Sequence, residues 1–573
     1  MAELKTSTDW KHLVPVLRSD VMVSVTAPLE IRDRIMIGYA VNSEEAYCAD
    51  MTMDDFMSIS PSLYVHVNTP RAFHGLKRIW EFMDARGLRT DEDTHNHIDI
   101  HKIIDTKLMA FLLDPDSAKE VVFGDKRVQE GLTLAHVAHR FLGHDYPYRI
   151  TDIYEQGYPG PFPEILTQDA RLIFRLAVEL PKLMSRELAK LYRCLELPLM
   201  VVLDNMRRVG IGFDADRCAR EIRAIERDMA RLAQEITGGQ KVNLKSHEKV
   251  HQFLVGRGIP LRLDPAYVRR KGIKEPLEKM AHVHPLVQKV LQFWDMGDEL
   301  GLLRKLGGHK RIHGTWGQIR SATSRIFARD PALQNVSSDL RHLFVPAPGH
   351  VLIKADYSQA QMRILAHLSG DPQLMGIFRD SEGDVHSETS RWLVLNDRDI
   401  AKEINFAICF GMGKDALCKK INDLKQGQGR TDFIAPVTAQ SYIDGFYARF
   451  SKVKDFFERE WEKMKDLPPK NRVVRSLIGR ERRFPHRPTS EVQRQFRVTW
   501  PQQIEADLIK TAMVRLDTIF RRRKMGSRIV MMIHDALWVE APQEEAEQVR
   551  HLMRKMMTTA AKLAVPLEVD FGK

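Results

Sequence analysis

Two apolar runs, each ending in an aspartate, constrain this chain more than any other feature. In HVLIKADYSQAQMRILAHLSGD the acid is Asp356, and in SRIVMMIHDALWVE it is Asp535. Runs that alternate or saturate with Val, Ile, Leu and Met are strands buried in a sheet, so each carboxylate is expected where such a strand emerges. Carboxylates placed that way can meet in space despite their wide separation in sequence. Their oxygens are the hard donors that divalent cations prefer. An aspartate at a strand end also caps helices and solvates loops, so the neighbouring sequence has to decide.

Downstream of the first aspartate, RDIAKEINFAICFG sets Arg398, Lys402, Phe406 and Phe410 at every fourth position. Residues so spaced share one helical face, and Ile400, Ile404, Ala407 and Ile408 fall mostly away from it. One flank can bury while the other offers two cations followed by rings, a layout suited to gripping a polyphosphate and stacking on a base. The plainer reading is a core stripe with two snorkelling cations.

A chain of 573 residues should hold several domains, and 43% hydrophobic residues suffice for their cores. The formal net charge of +11 favours a polyanionic partner whose affinity falls with salt. Basic clusters such as Arg269, Arg270, Lys271 and Lys274, or Arg521 to Lys524, are individually ordinary solvated faces. Cys48, Cys194, Cys218, Cys409 and Cys418 lack metal-ligand spacing and suggest a reducing compartment without disulfides. The opening MAELKTSTDWKHLVPVL has no apolar signal core, and no uninterrupted stretch is long enough to span a membrane. Cytoplasmic location follows by default, with an organelle left open.

In order along the chain, SATSRIFARDPALQN, DYSQAQMRILAHLSGD, GDVHSETS, RDIAKEINFAICFG, SLIGRERRFP, QQIEADLIKTAMVRL and MMIHDALWVE resemble segments of the family A DNA polymerases, the DNA polymerase I group. From about residue 190 to the end the resemblance is nearly continuous. It implies a multidomain α/β and α+β chain in which an RNase H-like, exonuclease-type domain occupies 1–190. A right-hand polymerase would follow: mainly thumb over 191–310, palm with an antiparallel sheet over 311–360 and 495–573, and fingers over 361–494. The implied activity is template-directed addition of dNTPs to a primer 3′ end by two-metal transfer. The implied cofactor is Mg²⁺, as two ions for which Mn²⁺ can substitute. Primer-template DNA and dNTPs are the implied partners, beside unidentified replication or repair proteins and no membrane.

The resemblance assigns Asp356 and Asp535 to the metals, with the Tyr357 carbonyl as a backbone ligand. Arg398, Lys402 and His386 would contact the triphosphate, Phe406 would lie against the nucleotide, and Gln359 would help line the pocket. Arg325 and Gln502 would touch the minor-groove edge of the primer terminus, where acceptors are common to all correct pairs. His534 would sit by the primer end, and Arg494 would steady the same region.

Three departures stand out. The usual motif A glutamate, which blocks a 2′-hydroxyl, is Gln361, and the usual tyrosine closing the helix face is Phe410. Losing both together avoids stranding either polar group, and ribose exclusion is expected to survive with room to weaken. Ser358 and Gln361 also fit a capping box, S-x-x-Q, at a helix start. The acid usually following the motif C aspartate is Ala536, which leaves two core carboxylates. The polar loop KQGQGRTD, around Gln426 to Arg430, is longer than the family's usual fingers connection.

The first 190 residues carry the family's exonuclease pattern without its acids. Ser24 and Thr26 stand where an Asp and a Glu are expected, Ala72, near Asn68, stands for a later Asp, and Ile165 for a Tyr. Only Asp169 remains, and one carboxylate cannot assemble a two-metal site, so this domain is expected to be inert. Within it, THNHIDIH sets His95, His97, Asp99 and His101 at spacings that suit either a metal or a solvated edge. Because the sequence opens directly on this domain, no flap nuclease is expected upstream of it. Relaxed sugar or template choice is one alternative reading, and a catalytically decayed DNA-binding relative is another. Intact Asp356, Asp535, Arg398 and Lys402 count against decay.

Overall fold

A computed structural model of the chain describes residues 22–26, 28–31, 34–64, 70–85, 102–118, 120–123, 126–145, 162–280, 284–379, 383–409, 411–428, 430 and 432–572. Phe410, Asn68 and the His95, His97, Asp99, His101 group lie outside the described residues.

Near the N-terminus, Val23–Val25, Leu29–Ile31, Arg34–Ala40, Ala46–Thr52, Arg71–Phe73 and Ile103–Asp105 form a six-stranded mixed sheet. Arg34–Ala40 runs antiparallel to its neighbours, whereas Val23–Val25, Arg71–Phe73 and Ile103–Asp105 are parallel. The helix Phe162–Leu183 packs across this sheet. The approach is close enough that a Cβ at Gly38 would stand 2.0 Å from the Leu166 carbonyl oxygen. Only a residue without a side chain lets the helix come that near.

The second sheet is antiparallel throughout, in the order Arg528–Ile533, Ala536–Pro542, His350–Tyr357, Val569–Phe571. Ile353, Ala355 and Tyr357 alternate into its core, where they join Leu508, Ile509 and Met513 of the 33-residue helix Ser490–Arg522. Each fully buried side chain of this kind stabilises the fold by roughly 1.5–3 kcal/mol. The strands thus have one face fixed against the helix, and their ends are held in register. The helix Leu197–Val209 packs into the same core.

Ala215–Thr237 and Pro285–Leu306 form a helix pair with an apolar core of their own, including Met229, Ile236, Val290 and Phe293. Asp214 caps the first of them by accepting from the Arg217 N–H, and Gly238, at φ +61, ends it where the sequence places a Gly-Gly break. Between the two halves of the antiparallel sheet come Val385–Trp392, Arg398–Cys409, Lys414–Gly427, Pro436–Arg449 and Ser451–Lys465, gathered on Ile404, Ile421, Phe446 and Phe457. The Lys414–Gly427 helix continues through the first part of the polar KQGQGRTD segment. Beyond it, Arg430 pairs with Asp432 and with Asp397, so the loop is fastened to the start of Arg398–Cys409. All five cysteines are free, and no helix among the described residues is long and apolar enough to cross a membrane.

Candidate active site

Asp356 lies one residue before the end of its strand, opposite Ala536 on one side and Asp570 on the other. Asp535 lies in the turn between Arg528–Ile533 and Ala536–Pro542, next to the partner of Asp356 in the register, so the two predicted carboxylates meet at one end of the sheet. Asp356 is exposed and Asp535 half-buried, which leaves the pair open to a bound group. Removal from water and the neighbouring Asp356 push Asp535 up to about 7, and desolvation raises Asp356 as well. Two like charges held this close demand a proton or a cation, and their oxygens are the donor type a divalent cation takes. Among the described residues no group of three or more His, Cys, Asp and Glu side chains is arranged for a metal, so the candidate centre is this pair. Tyr357 turns its ring into the core and donates its hydroxyl to the Met557 carbonyl at 2.9 Å, which fixes the strand end from behind.

Two non-glycine residues beside the pair adopt positive φ: Gln359 at 54° and His534 at 57°. Such backbone costs roughly 1–2 kcal/mol per residue and persists where the surroundings enforce it. Gln359 bridges outward, accepting from the Val385 N–H and donating to the Gly383 carbonyl. It thereby fastens the sheet to the start of the helix carrying His386. The expected capping box does not form: the helix starts at Ala360 after the left-handed Gln359, and no side chain caps it.

On the other wall, Asp397 accepts from the N–H groups of Asp399 and Ile400 and starts the Arg398–Cys409 helix. Its apolar face is buried as the spacing predicts, and Arg398 and Lys402 remain exposed. Lys402 lies near enough to Asp356 to favour its charged form, and its ammonium stands 5.6 Å from the Phe406 ring centre. Arg398 pairs with Asp384 at 2.7 Å, which holds that carboxyl down at about 2. His386 is buried and lies 6.0 Å from Phe406. Its Nδ1 accepts from the Asn405 amide, so the ring proton belongs on Nε2. Burial lowers this imidazole to about 4, keeping it neutral.

The third wall adds a residue that the sequence reading did not name. Gln361 donates to Glu505 at 2.8 Å, and Arg325 pairs with the other oxygen of Glu505. The loss of the motif A glutamate is therefore matched by an acid on the Ser490–Arg522 helix. Asp356 and Asp535 are not the only acids nearby, because Asp570 raises Asp356 and Asp535 raises the already desolvated Glu505. The clue in sequence was a charged residue at a buried position of QQIEADLIKTAMVRL. Arg325 reaches Asp535 and His534 electrostatically, so it belongs to the site. Among the described residues no hydrogen bond joins Gln502 to this cluster; Glu505, three residues on, makes the contact. Arg494 pairs with Glu491 on its own helix and lies against Gly411.

In the N-terminal sheet the four marked positions converge. Ser24 lies beside Ala72 in the parallel register and donates to the Ala170 carbonyl at 2.6 Å, next to buried Asp169. Thr26 accepts from the Gly38 N–H. Hydroxyls and a methyl thus fill the places where the resemblance calls for acids.

The model of DNA polymerase family A matches residues 215–573. The thermostable DNA polymerase I of Thermus aquaticus is 28% identical over 589 residues, covering 95% of this chain and 63% of the relative. That of Thermus filiformis is 31% identical over 446 residues, covering 72% of this chain and 51% of the relative. DNA polymerase I of Treponema pallidum is 29% identical, covering 82% of this chain and 47% of the relative. The chain thus spans about half to two thirds of the length of these relatives. The POL domain of Pol1 from M. smegmatis, solved with DNA primer-template and dNTP, superposes with a TM-score of 0.74 at 23% identity, covering 98% of this chain and 96% of that one. This likeness establishes the shared fold. With more than half its length matched, and with an antiparallel sheet whose end unites Asp356 and Asp535, the chain belongs to DNA polymerase family A.

Proposed function

We propose that this protein is a template-directed DNA polymerase that extends a primer 3′ end with dNTPs and does not proofread. The observation that carries the proposal is the meeting of Asp356 and Asp535 at one end of the antiparallel sheet, with Lys402 near enough to act on Asp356 electrostatically. In this reading residues 311–360 and 495–573 are palm, 361–494 fingers and 191–310 mainly thumb. Asp356, Asp535 and the Tyr357 carbonyl would hold two divalent cations, Mg²⁺ by preference. When bound, such ions supply charge neutralisation at the reacting oxygens and a more nucleophilic primer hydroxyl.

The chain's own groups do the rest. Lys402 and Arg398 hold the triphosphate, and Arg398 exchanges its Asp384 partner for phosphate oxygens. His386, neutral and protonated on Nε2, donates a hydrogen bond to a phosphate oxygen without adding charge. Phe406 supports the nucleotide, Gln361 lines the sugar side, and Arg325 meets minor-groove acceptors common to correct pairs. Closing the Arg398–Cys409 helix over a matched pair couples fit to chemistry.

Extension of a labelled primer on a DNA template with Mg²⁺ and dNTPs tests the proposal; duplex binding without extension would replace it with a decayed DNA-binding relative. Lys402→Ala is expected to lower kcat/KM for dNTPs by about 10²–10³-fold, the usual loss for one aimed donor at a developing charge. An effect below about threefold in steady-state kinetics would remove Lys402 from the triphosphate site. The wild type is also expected to leave a mismatched primer end untrimmed. Trimming that disappears in Asp169→Ala would restore the exonuclease.

A further inference from the structure

We infer that Glu505 is a positioning residue that joins the sugar side of the pocket to its primer side, holding Gln361 and Arg325 in one network and thereby setting discrimination between deoxyribose and ribose. The inference rests on the polymerase function proposed above. The Glu505 side chain is only 9% exposed and lies within a run of buried residues on the Ser490–Arg522 helix. A carboxylate so placed is costly unless it is both paired and hydrogen-bonded. Its two oxygens are divided between two partners from distant segments. One accepts from Gln361 Nε2 at 2.8 Å, and the other accepts from Arg325 Nη2.

This arrangement explains why residue 361 is an amide. A glutamate there would set a second buried carboxylate against Glu505, and repulsion would expel one of them or force a proton between them. An amide supplies the donor Glu505 needs. Because Nε2 is committed to Glu505, the orientation of the amide is fixed, and Oε1 is left buried without a protein partner. The amide is thereby held as a fixed body, and a fixed side chain on the sugar side of the pocket discriminates against a 2′-hydroxyl by its bulk. Arg325 keeps part of its guanidinium exposed while tethered to the same carboxylate. Glu505 also lies close enough to Asp535 to feel its charge, which places the network at the edge of the reacting centre.

Three variants test this: Glu505→Gln, Gln361→Glu, and the exchange of both. For each, kcat and KM are measured with a dNTP and with the matching rNTP on one primer-template, with thermal unfolding as a control for folding. Exchanging a charged acceptor for a neutral one weakens the hold on both partners, so Glu505→Gln is expected to lower the dNTP to rNTP preference about tenfold, with Tm near that of the wild type. Gln361→Glu alone is expected to lose about tenfold or more in kcat/KM for both sugars from the facing carboxylates. The exchange restores one carboxylate, one amide and the Arg325 contact, and is expected to return within about threefold of the wild type. Equal losses with both sugars in Glu505→Gln, or an exchange variant no better than the two single losses combined, would overturn the inference while leaving the polymerase intact. A wild type that never extends a primer overturns the proposed function and this inference with it.

Discussion

Asp356→Ala and Asp535→Ala are each expected to reduce templated extension by about 10³-fold or more, with primer-template binding nearly unchanged. The size follows from what each carboxylate would hold: a divalent cation contributes several kcal/mol at the reacting oxygens, and losing one ligand of a two-carboxylate centre forfeits most of it. Binding is expected to survive because, in the proposed function, contacts to the duplex would come from basic side chains elsewhere. The fold is also expected to survive. The two acids crowd one another at the end of the sheet, and removing either relieves like-charge repulsion. Extension assays beside anisotropy binding and thermal unfolding separate these effects. Asp570→Ala provides the comparison, since Asp570 pairs opposite Asp356 in the register but is exposed at the edge strand. It is expected to cost less than about tenfold. A loss equal to that of Asp356→Ala would mean a third acid belongs to the centre. Wild-type extension by Asp535→Ala would sink the assignment.

The parts of this site that were legible in sequence are those set by local periodicity. Period two over HVLIKADY put Ile353, Ala355 and Tyr357 inside and brought Asp356 to the strand end. Period four put Arg398 and Lys402 on the open face of a helix whose Ile400, Ile404 and Ile408 are buried. What stayed hidden are partnerships between segments far apart in the chain. Glu505 looks like an ordinary helix residue until Gln361 and Arg325 arrive beside it. The Ser358 capping box was a correct local pattern overruled by the left-handed turn at Gln359, which the bridge to Gly383 and Val385 holds in place. Asp570 escaped notice because its three-residue edge strand has no periodicity to read. Convergence of Ser24, Ala72 and Asp169 was readable only through resemblance, since nothing in three separate segments announces that they meet.

The largest stability effect is expected at Glu196, which the sequence presents as one more residue of an amphipathic helix. It is fully buried and accepts from Arg480, from Lys510 at 2.7 Å and from Gln318 at 2.6 Å, while Arg480 also donates to Asp507 at 2.7 Å. These contacts tie the helix before Val209 to the Val473–Arg483 hairpin and to the helix that carries Glu505. Glu196→Ala leaves two buried cations short of a counter-charge and is expected to cost about 3–5 kcal/mol. Lys510→Met is expected to cost under about 1.5 kcal/mol, because burial and the adjacent Arg480 already disfavour the ammonium, whose pKa is pulled down to about 8. The pH dependence has a definite sign. Despite its burial, the cations hold Glu196 down at about 2, against about 4.3 in an unfolded chain. Its stabilisation, about 3 kcal/mol, is therefore complete above the unfolded value and is lost as pH falls through the folded one. Urea midpoints of the wild type should drop between about pH 4.5 and 2, and those of Glu196→Gln should start lower and fall less over the same window. Parallel curves for the two proteins across that window would show that the pairing contributes nothing to folding.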